Sequence, residues 1–278
     1  MKTIHKLLLV LIVMVLGGNA NASILQDSYL KELNDVKGIR LLTVDNVNGD
    51  CRVVAVPGDT IHIEGAIRVK GGSDEECREF YERAEIKTVV EGDTVHLDVK
   101  YPKNRGFFNM GRSVAMIVDF EIQVPEAMDV DVDLVNGDVT LEKLRDCRID
   151  LVNGDILAST INSIVVDAVN GNIEIQGVAE SVNCDVVNGG LKLYTESLAL
   201  HKVVAEAVNG TMQVYLPAAV LGRIQMSSAT GITYLKEEAG DGEWKVKLKS
   251  KCVTMAEDGP ARINLENVNG KIILFCKQ

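Results

Sequence analysis

The sequence predicts an all-β chain folded as a parallel β-solenoid, and three observations carry that prediction. Val-Asn-Gly occurs seven times, ending at Gly49, Gly137, Gly154, Gly171, Gly189, Gly210 and Gly270, a self-similarity that marks a repeat architecture. From Asn136 through Asn153, Asn170, Asn188 and Asn209 to Thr230 of the degenerate copy Ser227–Ile232, the steps are 17, 17, 18, 21 and 21 residues. That period is too short for a helical repeat and fits two short strands with two turns. Aligned on the Asn, apolar residues alternate along every copy: Cys147, Ile149, Leu151, Ile156 and Ala158 in one, Ile164, Val166, Ala168, Ile173 and Ile175 in the next. A period of two is the inward face of a strand. Asn-Gly between alternating residues also suits an antiparallel meander of hairpins. The solenoid is preferred because stacked coils reward the same corner chemistry at every rung.

The elements follow in order. Residues 1–22 read as a secretory signal peptide, with Lys2 and Lys6, an apolar run over 7–16 too short to span a bilayer, and a small-residue site at Ala20-Asn21-Ala22. Residues 23–39 read as a leader with weak order. An N-terminal β segment over 40–129 holds the isolated first copy, with strands over 40–44, 51–56 and 60–69 around the Pro57-Gly58-Asp59 turn. Ser73-Asp74-Glu75-Glu76 is a capping box before Cys77, Phe80, Tyr81 and Ala84, so a helix over 74–85 is expected to plug one end of the array. A hairpin about Gly92, a polar loop over 101–112 and a strand over 114–124 lead to the tandem repeats at 130–278, expected to be one continuous domain with 40–129.

Composition excludes some partners. The formal charge is −11 and becomes −13 without the two signal lysines, which disfavours nucleic acid and anionic lipid. Aromatics make up 4% of the chain, so stacking platforms for bases or sugars are expected to be scarce. No apolar stretch after the signal is long enough to cross a membrane. Six cysteines in the mature part are too sparse for a disulfide scaffold and lack metal spacing. Cys147 and Cys184 fall on inward positions two coils apart; Cys252 and Cys276 could pair.

The order of these features, ending in the strand to Val124-Pro125-Glu126-Ala127 and the tandem Val-Asn-Gly-Asp units, resembles the bacterial DUF4097 family of β-strand-repeat proteins, whose label is adhesin. The resemblance covers most of the mature chain and implies a β-helical adhesin with no catalytic motif. This chain departs from the family pattern where Asp138 and Asp155 give way to Asn172, Gly190, Thr211 and Lys271.

The chemistry is sparse. Asn48, Asn136, Asn153, Asn170, Asn188, Asn209 and Asn269 read as structural turn residues that tolerate left-handed backbone and bond along the stack. Three residues before each Asn stands an acid, and Asp133, Asp150, Asp167, Asp185 and Glu206 would stack at about 5 Å in a solenoid, so their repulsion needs an offset. Local hydrogen bonds or water could supply it, and so could a divalent cation such as calcium, the weak metal candidate of this chain. Lys245, Lys247, Lys249 and Lys251 alternate on a strand, as a charged edge that resists aggregation or a grip for a polyanion. A β-helix polysaccharide lyase or hydrolase is the enzymatic alternative; its nearest sign is Arg148 beside Asp150 and Asp167, while His62, His96 and His201 are scattered. The expected function is therefore an exported, non-enzymatic adhesin or envelope protein of the periplasm or cell surface. It needs no cofactor, and its expected partner is an envelope protein or surface polysaccharide.

Overall fold

The structure, a computed structural model, describes residues 23–102, 114–126, 128–239 and 242–277. The expected signal peptide at 1–22 and residues 103–112 of the expected polar loop lie outside the described residues. The first part of the chain gives β1 (Ser23–Asn34), β2 (Leu41–Asn48), β3 (Cys51–Val56), β4 (Thr60–Gly71), α1 (Asp74–Arg83), β5 (Glu85–Glu91), β6 (Thr94–Lys100) and β7 (Ala115–Pro125). The tandem part alternates eight-residue and four-residue strands: β8 (Asp129–Asn136), β9 (Val139–Glu142), β10 (Asp146–Asn153), β11 (Ile156–Ser159), β12 (Ser163–Asn170), β13 (Ile173–Gln176), β14 (Ser181–Asn188) and β15 (Leu191–Tyr194). Then come β16 (Lys202–Pro217), β17 (Leu221–Ser228), β18 (Ile232–Glu238), β19 (Trp244–Ser250), β20 (Cys252–Ala256) and β21 (Ala261–Lys277).

The repeats form a parallel solenoid, not a meander. Equivalent residues pair in register from coil to coil: Asn136 with Asn153, Asn153 with Asn170, Asn170 with Asn188 and Asn188 with Asn209. The strand before each Asn-Gly corner belongs to a first sheet, β5-β6-β2-β8-β10-β12-β14-β16-β21-β17-β20. The strand after it belongs to a second, β1-β4-β7-β3-β9-β11-β13-β15-β16-β21-β18-β19. The long strands β16 and β21 run through the corner and serve both. The period-two apolar columns meet between the sheets, where Ile149, Val166, Cys184, Ala205 and Leu265 are all but inaccessible to water. Burying such columns supplies most of the favourable free energy.

At the ends, stack order departs from chain order. The sequence places the Thr230 copy next to Asn209, but β21 lies between them, pairing Asn209 with Asn269 on one side and giving its other edge to β17 and β18. The isolated first copy likewise adjoins Asn136 across a long insertion. The chain thus leaves the stack after its first rung to build a cap, and after Pro217 it skips the place that β21 later fills. Both caps reverse direction: β5 and β4 pair antiparallel with β6 and β7, and β20 and β19 pair antiparallel with β17 and β18.

Residues 23–34, expected within a weakly ordered leader, instead form β1, antiparallel to β4 over its whole length. The cause is alternation over twelve residues that turns Leu25, Tyr29 and Leu33 onto the core. Helix α1 is capped by Ser73, whose hydroxyl accepts the Glu76 N–H at 3.2 Å, and it packs on β1 and β4 through Cys77, with Phe80, Tyr81 and Ala84 alongside. It ends two residues before the expected boundary because Ala84 is already extended. All six cysteines are free. Cys252 is exposed on β20 of the first sheet, whereas Cys276 is buried on the second-sheet half of β21, so the anticipated pairing of Cys252 with Cys276 does not form.

Candidate functional site

Each corner is built by three residues with separate tasks. Gly takes the positive φ, from 120° at Gly49 to 152° at Gly210. The Asn before it stays in the strand, as its last residue in most rungs and inside the long strands at Asn209 and Asn269; the left-handed backbone expected for Asn is taken by Gly alone, because the turn needs one such residue. Each Asn amide then donates to the preceding rung's Asn oxygen, from Asn136 to Asn48 at 2.9 Å through Asn170 to Asn153 at 2.8 Å and on to Asn269 to Asn209 at 2.9 Å. The Thr230 hydroxyl closes the row on the Asn269 oxygen at 2.8 Å. The residue after Gly makes a second row: side-chain oxygens of Asp50, Asp138 and Asp155 accept the N–H groups of Asp138, Asp155 and Asn172 at 2.9, 2.8 and 2.7 Å. It stops at Gly190, which has no side-chain oxygen to offer. Asn172 still carries the row one rung further by accepting the Gly190 N–H at 3.2 Å, so the ladder ends where the motif loses its side-chain oxygen, not where it loses Asp.

On the outer face of the first sheet, just before the corner, two columns run side by side. The acidic column is Asp45, Asp133, Asp150, Asp167, Asp185, Glu206 and Glu266, extended by Asp98 of β6, which pairs with Asp45. Asp98 has no Val-Asn-Gly after it, so the motif did not point to it. Two residues on, the valine column rises from 37% exposure at Val135 through Val152, Val169, Val187 and Val208 to 45% at Val268. Together they line an open groove of about 1030 Å³ that ends at Lys251 and Cys252. At about 4.8 Å per strand, nine strands from Asp45 to Cys252 make it roughly 38 Å long.

The repulsion in the column is met unevenly. Arg148 donates to Asp150 at 3.0 Å and to Asp167 at 2.6 Å, spanning the middle of the row. Asp45, Asp133 and Asp185 lack such a bridge. Burial first, and then the neighbouring carboxylates Asp98, Asp131 and Asp167 respectively, push their carboxyl pKa values up. Asp131, on the next outward position, joins Asp133 and Asp150 in a triad whose oxygens lie within 4.8 Å of one another, and its Oδ1 is buried without a hydrogen bond. A hard divalent cation suits such a set. Of the calcium candidates read from the sequence, Asp133 and Asp150 enter this triad, Asp167 is held by Arg148, and Asp185 and Glu206 stand further along the column.

No family model matches the chain, so membership of the DUF4097 family is not shown, and no curated protein matches it. Solved structures do. A "putative cell adhesion protein" from Clostridium sporogenes is 13% identical over 91% of this chain and 100% of that one, with a TM-score of 0.33. A "putative lipid binding protein" from Parabacteroides distasonis is 14% identical, covering 92% and 98%, with a TM-score of 0.43. A "putative adhesin" from Bacteroides fragilis is 12% identical, covering 90% and 96%, with a TM-score of 0.34. At those scores the likeness carries no argument about function.

The remaining candidates fall apart in space. His62 sits on β4 against Glu64, and His96 on β6 against Thr43. His201 precedes β16, away from both. The lysine strand is β19, at the edge of the second sheet, with Lys247 paired to Glu237 at 2.6 Å. Among the described residues no helix is long and apolar enough to cross a membrane.

Proposed function

We propose that this chain is an exported, non-enzymatic interaction protein of the adhesin kind, which holds an envelope protein along the acidic and valine groove. One observation carries the reading: the acidic column passes seven rungs and the exposed valine column passes six of them without a break, so the surface repeats a carboxylate and a methyl pair every 4.8 Å or so. The complementary ligand is a polypeptide with cations beside an apolar stripe. A basic amphipathic helix rises about 5.4 Å per turn and so presents nearly one lysine and one apolar side chain per rung. The groove has no aromatic lining to stack a sugar. A non-enzymatic role is supported by the dispersal of the histidines and by the commitment of Arg148 to two structural ion pairs.

The test is a fluorescence-anisotropy titration of purified residues 23–278 with a labelled lysine-leucine helical peptide. Saturable binding is expected, weakening with salt, and reduced at least about tenfold by combined Asp133→Asn, Asp167→Asn and Asp185→Asn. Unchanged binding in that variant overturns the groove, and breakdown of any polysaccharide by the purified protein overturns the non-enzymatic reading. A second reading rests on the buried Asp131 oxygen in the carboxylate triad: the groove is cation-loaded. Repeating the titration in EDTA and in millimolar calcium decides it, since calcium bound at the triad changes peptide affinity in the natural chain and not in Asp131→Asn.

A further inference from the structure

The scarcity of aromatics hides their distribution. Tyr194 of β15, Tyr215 of β16 and Phe275 of β21 occupy one outward column of the second sheet. Ring centroids are 6.3 Å apart for the tyrosines and 4.1 Å for Tyr215 and Phe275, which stack almost parallel. Trp244, the only tryptophan of the chain, stands edge-on to them, 5.0 Å from Phe275 and 6.1 Å from Tyr215. Beside this wall is a depression of about 470 Å³ whose other side is polar. There Glu174 accepts from Gln176 at 2.6 Å and from Lys192 at 3.3 Å. Tyr194 donates its hydroxyl to Glu196 at 2.6 Å, and Lys277 pairs with the same carboxylate.

We propose that this depression is a binding site for a neutral oligosaccharide, in addition to the groove and separate from it across the Asn-Gly corner. A pyranose ring has an apolar C–H face and a rim of hydroxyls. An exposed aromatic face beside a carboxylate, an amide and an ammonium group answers both, because each hydroxyl can donate to Glu174 and accept from Lys192 or Gln176. Pockets of this build, apolar wall and few convergent polar groups, are the usual form of a small-ligand site. From the Gln176 strand, β13, to the Trp244 strand, β19, the site crosses five strand spacings, roughly 24 Å, enough for a short chain of rings. The polar side holds Glu174 and Glu238 against Lys192 and Lys277, so the local charge is balanced; together with the acidic chain this favours an uncharged ligand over a polyanion. Tyr194, at the open end of the column and 39% exposed, is the free stacking surface.

Because Trp244 is unique, its intrinsic fluorescence reports on this patch alone. Titrating residues 23–278 with cellopentaose, chitopentaose and xylopentaose is expected to quench or shift that emission saturably with at least one of them. Tyr194→Ala and Glu174→Ala are each expected to weaken the response about tenfold while leaving the thermal midpoint in place, since both side chains lie at the surface. Asp167→Asn, in the groove, is expected to leave it unchanged, and peptide binding in the groove is expected to survive Tyr194→Ala, so either site can fail without the other. No fluorescence change at millimolar concentration of any of the three sugars overturns the proposal. So does a response that both Tyr194→Ala and Glu174→Ala leave intact, or one given only by an acidic oligosaccharide. If Tyr194→Ala lowers the midpoint, Lys192→Ala takes its place, with the same loss expected.

Discussion

The central rungs and the two caps solve the same problem, an exposed sheet end, in opposite ways. In the centre, β8 to β15 stack parallel with identical corners, and every rung is both template and partner for the next. At each end the chain abandons the repeat and lays antiparallel strands across the last coil, with α1 added at the N-terminal side. A parallel array left open would present a row of unpaired backbone groups to any other strand. The caps carry charge instead: β19 alternates lysines, and α1 places Asp74, Glu75 and Glu76 in its first turn, where the helix N-terminus favours them. Identity between neighbours is the rule in the centre, and local chemistry is the rule at the ends.

That contrast gives the largest expected effect. In the centre a Cβ at Gly171 would lie 1.7 Å from the carbonyl oxygen of Gly154, at a φ of 147°, so the backbones of two rungs would have to part. In the cap hairpin, Gly92 has a φ of 65° and nothing within 4 Å of a Cβ. Gly171→Ala is expected to cost at least about 4 kcal/mol and to leave little folded protein. Gly92→Ala should cost only about 1 kcal/mol, the ordinary penalty of left-handed backbone. Chemical denaturation measures both. Equal losses would mean that stacking contributes no more than turn geometry does.

Next in size is the asparagine ladder against the helix cap. Asn170 donates to Asn153 at 2.8 Å and accepts from Asn188 at 2.9 Å, so Asn170→Ala removes two bonds at once. About 1–2 kcal/mol is expected, and more than the loss from Ser73→Ala, about 1 kcal/mol. Thermal unfolding of the two variants compares them, at roughly 2–4 °C per kcal/mol for a chain of this size. A larger loss at Ser73 would make the N-terminal cap, not the ladder, the weak point of the fold.

The centre was legible in the sequence because its rule is repetition, which a single chain displays openly. The ends were not, because pairing there joins residues far apart: Asn209 to Asn269, and Asp45 to Asp98. A local signal did exist. Two residues before the corner Asn, the inner copies carry Leu134, Leu151, Ala168, Val186 and Ala207, but the two isolated copies carry Asn46 and Asn267. Both are buried, and their amides donate to the carbonyls of Val118 and Gly210 at 2.9 and 2.8 Å. A polar residue at that position marks a rung at the margin of the tandem run. The order of residues 23–34 is hidden in the sequence because β1 exposes Ile24 and Leu30 on its outer side, which blurs the alternation that turns Leu25, Tyr29 and Leu33 inward. Of the candidate sites, the acidic column followed directly from the repeat. The aromatic patch did not, since Trp244 reaches Phe275 only through the fold of the C-terminal cap.

The smallest effect sharpens the comparison electrostatically, because acids that help the cap burden the array. The carboxyl groups of Asp45, Asp133 and Asp185 have raised pKa values, chiefly through burial and then through neighbouring acids. A carboxyl whose pKa is higher folded than unfolded contributes stability at low pH, where it is protonated, and loses that contribution as pH rises through the folded value. At neutral pH these three charged carboxylates therefore oppose folding. Asp133→Asn is expected to raise the thermal midpoint at pH 7 by roughly 1–3 °C, and the gain should shrink as pH falls through the raised folded value and vanish below the ordinary carboxyl value of about 3.9. Asp150→Asn should show no such gain, because it takes from Arg148 a partner held at 3.0 Å. Glu75→Gln, in the first turn of α1, should lower the midpoint slightly at pH 7 by weakening the interaction with the helix N-terminus. A gain at Asp150 equal to that at Asp133 would show that Arg148 offsets nothing, and the column would then be uniformly repulsive from rung to rung.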